Sequence, residues 1–269
     1  MRISAFVIPF FVLLAGVFGY NLRLSERRNV FDSVTGLPYR DAATTFWLTA
    51  LSIAFILFII IFAIRVAVKY KASKGFEGAF GTDPVFYPIV FVIIGVTWIL
   101  GTLMYLFNLL MLNAISLNDV YFVVFSTTAA ISLIFFSIEM YQDSRRNAAY
   151  ILSVIPTIFM CFWLIFLYRH NASNPILMGY IYQCLAIVTS TLGFYFTSGF
   201  LYGRQAPGKA VVAYYASVYF CMVTLADDIQ MGIRLIYCAL IAINLVHATM
   251  LIRNLQKKQG MGDVWHNSF

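Results

Sequence analysis

The sequence predicts an all-α, polytopic transmembrane helical bundle of about eight spans, folded as one domain over residues 1–269. Three observations lead there. Hydrophobic residues make up 62% of the 269 and charged residues only 11%, against about 25% charge in a soluble domain. The apolar residues gather into runs of about 20, enough to cross a ~30 Å hydrocarbon layer. The runs also lack the alternation of a β-barrel, which leaves helices to satisfy the backbone in lipid.

The first span, Ile3–Tyr20, follows a single basic residue, Arg2, and no clean Ala-x-Ala site ends it. It therefore reads as a span and not as a removed signal peptide, whose loss would leave seven spans and an outward N-terminus. Ala42–Val68, Val85–Leu112 and Tyr121–Tyr141 follow, then Ala149–Tyr168 and Ile176–Tyr202. Ala210–Ala226 is the shortest run, and Gly232–Ile252 closes the set. Residues between spans number about 20 at most, so no separate soluble domain is expected.

Orientation follows from lysine and arginine in the loops. With eight spans both termini share a side, and that side collects twelve of the 18 bases against five of the 11 acids. The other side carries six of each. The richer side is expected in the cytoplasm, against anionic headgroups. The pI of about 9.2 is then explained by topology, with no nucleic-acid partner required.

The outer loop, residues 21–41, is the exception, because four of the six outward bases lie in it: Arg23, Arg27, Arg28 and Arg40. A basic outer loop calls for acidic partners. Asp227 and Asp228, in the turn before the last span, supply them. Asp227 and Arg234 are seven apart, so a helical start would place them on one face. Arg27, Arg28, Arg40, Asp227, Asp228 and Arg234 thus form a candidate ion-pair or ligand cluster. Val30, Phe31, Val34, Leu37 and Tyr39 give the loop an apolar set, and Gly36-Leu37-Pro38 supplies a reversal. Both a lid folded onto the bundle and a solvated connector fit this pattern.

The stretch "LRLSERRNVFDSVTGLP" resembles one from a bacterial family of polytopic membrane proteins with no assigned activity. Its members carry a Leu-Arg…Phe-Asp-x-x-Thr-Gly-Leu sequence after an apolar first span. The likeness covers about 40 residues and implies a bacterial cytoplasmic membrane. It implies no chemistry.

Chemistry is sparse in the spans. No H-E-x-x-H, phosphate-binding glycine loop or nucleophile–base set occurs, so an enzyme is disfavoured and no cofactor is indicated. Ionisable and strongly polar residues inside spans are functional candidates by default. Glu139 lies within a turn of the cytoplasmic end of its span, with Arg145 and Arg146 just beyond. Asn244 and His247 share a helix face at i, i+3. Asn108 and Gln183 read as interhelical contacts. The fourth and sixth spans carry "STTAAIS" (Ser126–Ser132) and Thr189, Gly193 and Thr197, small polar faces that suit close packing or a narrow pathway. Cys161, Cys184, Cys221 and Cys238 lie one in each of the last four spans. They sit about five to eight residues from the outer end, roughly 8–12 Å deep. A soft metal suits thiolates, but buried cysteine is also ordinary packing and no C-x-x-C spacing joins any pair. No metal site is assigned on this basis.

The functional expectation is a small sensor or accessory membrane subunit with an outward lid. A cytoplasmic or membrane protein partner would supply its output. The alternative is a small-solute or ion transporter using the polar faces of spans four and six.

Overall fold

The computed structural model describes residues 4–30, 43–72, 75–81, 86–113, 115–140, 146–171 and 179–257. Among these the chain forms α1 (Ser4–Asn29), α2 (Ala43–Lys69), α3 (Gly75–Phe80), α4 (Phe86–Met111), α5 (Leu117–Glu139), α6 (Arg146–His170), α7 (Ile181–Leu201), α8 (Pro207–Thr224) and α9 (Met231–Asn254). Two short strands, β1 (Tyr70–Lys71) and β2 (Gln256–Lys257), pair antiparallel and tie the end of α2 to the end of α9.

Seven of these helices are long and apolar enough to cross a membrane: α1, α2, α4, α5, α6, α7 and α9. The protein is a multi-pass membrane bundle. The seventh expected span, over Ala210–Ala226, falls on α8, which does not meet that measure. The reason is its place in the fold. α8 packs against α1, α2, α7 and α9, and Tyr214, Tyr215 and Tyr219 are all fully buried in it. A helix walled in by helices can carry tyrosines in place of aliphatic residues, which lowers its hydropathy.

The first span is longer than expected. α1 does not stop at Tyr20 but runs to Asn29, so residues 21–29 of the expected outer loop are helical. Val12, Gly16, Gly19, Arg23, Glu26 and Val30 are buried at spacings of three and four, one continuous helix face. Residues 31–42, with the rest of the candidate lid, lie outside the described residues.

The ends of the bundle are tied locally. α5 starts with a capping box: Ser116 Oγ accepts from the Asp119 amide at 3.3 Å, and Asp119 Oδ2 accepts from the Ser116 amide at 3.0 Å. That satisfies two helix-start donors reciprocally. α7 ends where Gly203 takes φ 76° and the Arg204 amide reaches back to the Gly199 carbonyl at 2.7 Å, a glycine-dependent stop. α3 is an addition to the sequence reading. It lies in the connector after α2 and buries Phe76, Ala79 and Phe80. The Phe76 and Phe80 rings stand 5.4 Å from Phe136 and 5.2 Å from Phe200, respectively.

Polar side chains in the core are mostly committed to packing. Trp98 Nε1 donates to Ser126 Oγ at 3.0 Å, and Thr102 shares a 2.8 Å bond with the same oxygen. At the α4–α9 crossing a Cβ on Gly232 would overlap the Gly101 carbonyl and the Tyr105 amide nitrogen, so only glycine permits that approach.

Candidate functional site

One end of the bundle gathers the end of α1, the starts of α2 and α7, and the turn from α8 to α9. The α1 stripe that buries Val12 and Gly16 deeper in the bundle delivers Arg23 and Glu26 here, 1% exposed each. Asp227 waits in the turn, wholly buried. Its amide is bonded to the Thr224 carbonyl at 2.9 Å and its carbonyl accepts from Ile229 at 3.0 Å.

The guanidinium of Arg23 is used in three directions. Nε donates to Asp227 Oδ1 at 2.7 Å, one terminal nitrogen to Glu26 Oε2 at 2.7 Å, and the other to the Gly179 carbonyl at 3.1 Å. Its carbon also sits 5.0 Å from the centroid of the Tyr182 ring, a cation–π distance. Arg27, one turn on, donates to Asp227 Oδ1 at 3.1 Å and to the Gly179 carbonyl at 2.7 Å. Gln183 donates to Asp227 Oδ2 at 3.1 Å, and Thr45 donates to Glu26 Oε1 at 2.8 Å.

Two cations thus face two anions, and the group is neutral. Burying charge is expensive unless each ion is paired and hydrogen-bonded, and both conditions hold here. Such a network adds little net stability over apolar packing, but removing one member strands the rest. Its structural effect is to fasten α1 to α2, to the segment before α7 and to the α8–α9 turn.

Cavities lie on either side of this network. A groove of about 380 Å³ runs between α2 and α7, with Arg23 and Glu26 among its lining residues. Thr45, Thr49 and Ser52 descend from that charged end along α2, and Ser52 shares a 2.9 Å bond with the Tyr219 hydroxyl. Beyond them the lining is apolar: Ile53, Ile56, Leu57, Leu185 and Phe220. On the other side two cavities of about 400 and 560 Å³ share Tyr105, Phe166, His170 and Gln230. Arg27 lines the first of these and Asp119 the second. Asp119 Oδ1 accepts from the Tyr105 hydroxyl at 2.6 Å.

Of the candidate cluster, the structure brings together Arg27 and Asp227. Arg28 is exposed on α1 and Asp228 is exposed in the turn. Arg28 follows Arg27 by about 100° around the helix, which turns it away. Arg40 lies outside the described residues. Among the described residues Arg234 takes no carboxylate; it donates to the Asp227 carbonyl at 3.3 Å. The expectation of a shared helix face fails because α9 begins only at Met231, leaving Asp227 in a turn with its carboxylate directed to α1. Arg23 and Glu26, buried beside Asp227, are not in the expected cluster. Their signal was the i, i+3 continuation of the α1 stripe past Tyr20.

The other candidates are scattered. Glu139 Oε2 has no hydrogen-bond partner among the described residues; Arg145 and the Arg146 side chain lie outside them. Asn244 donates to the Leu240 carbonyl at 2.9 Å. His247 Nε2 is 3.3 Å from the Tyr87 hydroxyl, and its ring contacts those of Phe80 and Phe91. Asn244 and His247 share α9, and a cavity that His247 lines measures about 10 Å³. Thr127 and Thr128 bond the carbonyls of Val123 and Val124, while Thr197 joins Tyr214 at 2.8 Å. α5 packs with α4 and α6, and α7 with α6 and α8; the cavity that Leu133 and Phe136 of α5 share with Phe194 and Thr197 of α7 measures about 10 Å³.

The cysteine layer does not converge. Cys161 and Cys238 are exposed, Cys184 is half-buried and Cys221 is buried. Equal depth does not fix helical phase, and the four differ in exposure. Among the described residues no three of His, Cys, Asp or Glu are grouped to hold a metal ion. In comparisons with known proteins, no family matches the chain, and no curated protein or solved structure is similar to it.

Proposed function

We propose that the protein is a small sensor or accessory subunit of a cell membrane, and that its ligand-facing site is the groove beside Arg23 and Glu26. The observation that carries this reading is the double use of one network. Arg23 and Glu26 line the groove, and the same Arg23 holds Asp227 at the root of α9. A ligand that engages Glu26 redistributes the hydrogen bonds of Arg23. Asp227 and α9 feel that change directly. α9 is continuous to the opposite end, where β2 pairs with β1. That rigid element supplies a physical route from groove to far end.

The far end is the basic one. Its placement in the cytoplasm, with both termini, rests on the loop charges, and a bacterial cytoplasmic membrane rests on the likeness of the "LRLSERRNVFDSVTGLP" stretch. A protein partner there would carry the output. Two measurements test the reading: co-purification from native membranes after mild crosslinking, and solute flux from liposomes holding this chain alone. A stoichiometric partner and no flux are expected. Flux of a small solute or ion by the chain alone overturns the reading in favour of a transporter.

A further inference from the structure

The groove between α2 and α7 is graded along its length. Its charged end offers Glu26, Thr45 and Thr49, followed by Ser52, and the remainder is aliphatic and aromatic. α2 and α7 flank it, and Phe220 of α8 contributes to its lining. Its outer wall is lipid-facing: Ile53 is 57% exposed and Leu57 is 55% exposed. In a bundle that crosses a membrane, a molecule reaches such a groove sideways, from the hydrocarbon layer. Its volume of about 380 Å³ lies within the ~300–1,000 Å³ range of small-molecule sites.

The polar end has a definite hydrogen-bond character. The Arg23 donors are directed at Asp227, Glu26 and the Gly179 carbonyl, and the Thr45 proton is directed at Glu26. A carboxylate has about four lone-pair sites, and these two bonds occupy one on each Glu26 oxygen. The end is therefore rich in acceptors. A head that brings its own negative charge would meet the Glu26 carboxylate, whose cationic neighbour Arg23 is directed at Asp227, Glu26 and the Gly179 carbonyl. One that donates finds the carboxylate and the Thr49 hydroxyl oxygen.

We propose that this groove binds one chain of an amphipathic lipid whose head donates hydrogen bonds, through a hydroxyl or a protonated amine, to Glu26, Thr45 and Thr49. The inference rests on the reading of the groove as the ligand-facing site and names the class of ligand.

The test uses the full chain in phosphatidylcholine liposomes with three diazirine-bearing probes of one chain length: hexadecanol, hexadecylamine and hexadecanoate. Labelling by the alcohol or the amine, at least tenfold more efficient than by the carboxylate, is expected within the groove, and the preferred probe identifies the head. Leu57→Trp with Leu185→Trp fills the apolar part and should abolish that labelling. Thr49→Val, at an exposed helical position, should weaken it about two- to tenfold, the value of one hydrogen bond. Equal or stronger labelling by the carboxylate overturns the proposal, as does labelling untouched by the tryptophan pair. A photo-reactive residue at Leu57 that crosslinks to residues 31–42 in place of lipid also overturns it, by making the chain its own occupant. Partner retention and flux are measured without these probes. Failure of the lipid proposal therefore leaves the sensor reading to its own test, and flux with probe bound removes only that reading.

Discussion

Arg23 and Asp227 lie 204 residues apart in the chain and meet at 2.7 Å, both shut away from solvent. The pair joins the first helix to the last turn, so its loss is felt across the bundle. Arg23→Met leaves Glu26, among the described residues, with its Thr45 hydrogen bond, and a buried pair broken on one side costs about 3–5 kcal/mol. The double variant Arg23→Met/Glu26→Leu removes the stranded carboxylate as well. It should be less destabilised than the two single changes summed, by about 0.5–3 kcal/mol. Thermal melts of the purified variants in one detergent read both values; strict additivity would contradict the coupling.

Arg27 and Arg28 are neighbours with opposite fates. Arg27 bonds Asp227 and Gly179, whereas Arg28 is exposed. Arg27→Ala should cost about 1–3 kcal/mol, the range of hydrogen bonds to charged groups. Arg28→Ala should stay within about 0.5 kcal/mol, as surface changes do. The same melts check this, and equal effects would mean that Arg27 is not held in the network.

The bundle was legible in the sequence because lipid enforces long apolar runs, and the long helices fall near the expected spans. The charged site was legible only in part. Hydropathy ended the first span at Tyr20, where the apolar count drops. The helix continues because Arg23 and Glu26 occupy the next positions of the stripe begun by Val12, Gly16 and Gly19, and Asp227 neutralises what hydropathy penalises. A pairing across 204 residues leaves no local trace, so the sequence could suggest Arg27 with Asp227 only from loop charges. Arg28 and Asp228 satisfied the same sign rule and are exposed, since sign carries no helical phase. The cysteines illustrate the same limit: depth can be counted along a span, but direction depends on neighbours that the sequence does not name.

Topology is tested by thiol labelling of intact cells. A single cysteine introduced at Ser33 should react with an impermeant reagent added outside, while Ser73→Cys and Gly260→Cys should not. The basis is the twelve-to-six division of basic residues. Labelling at Ser73 without labelling at Ser33 would invert the orientation.

Close packing at the α4–α9 crossing gives a test of the fold that is independent of charge. Gly232→Ala forces a methyl against the Gly101 carbonyl and the Tyr105 backbone, where overpacking costs about 1–3 kcal/mol. At Gly199 the nearest atom to an added Cβ is 3.4 Å away. Gly199→Ala should therefore be neutral or gain up to about 1 kcal/mol of helix propensity. A Gly232→Ala protein as stable as the parent would show that the two helices stand farther apart.

Arg23→Lys separates charge from geometry. Both side chains are cationic, so a site that needs only a buried positive charge would accept the change. Here the planar fork is divided among three acceptors: Asp227 from Nε, and Glu26 and Gly179 from the two terminal nitrogens. A lysine ammonium is a compact point donor on a flexible stem. It can sit beside Asp227 or Glu26, but its single nitrogen cannot reproduce contacts made from three positions on a plane. The Tyr182 ring, 5.0 Å from the guanidinium carbon, would also lose its flat partner. Losing one or two charge-assisted hydrogen bonds at about 1.5–3 kcal/mol each predicts a destabilisation of about 2–4 kcal/mol. Because Arg23 secures the α8–α9 turn, protease cleavage near Asp228 should accelerate in parallel with the fall in melting temperature. Arg28→Lys, with the same chemistry at an exposed site, is the control and should change neither. A lysine at position 23 as stable and as protected as arginine would reduce the network to charge balance alone.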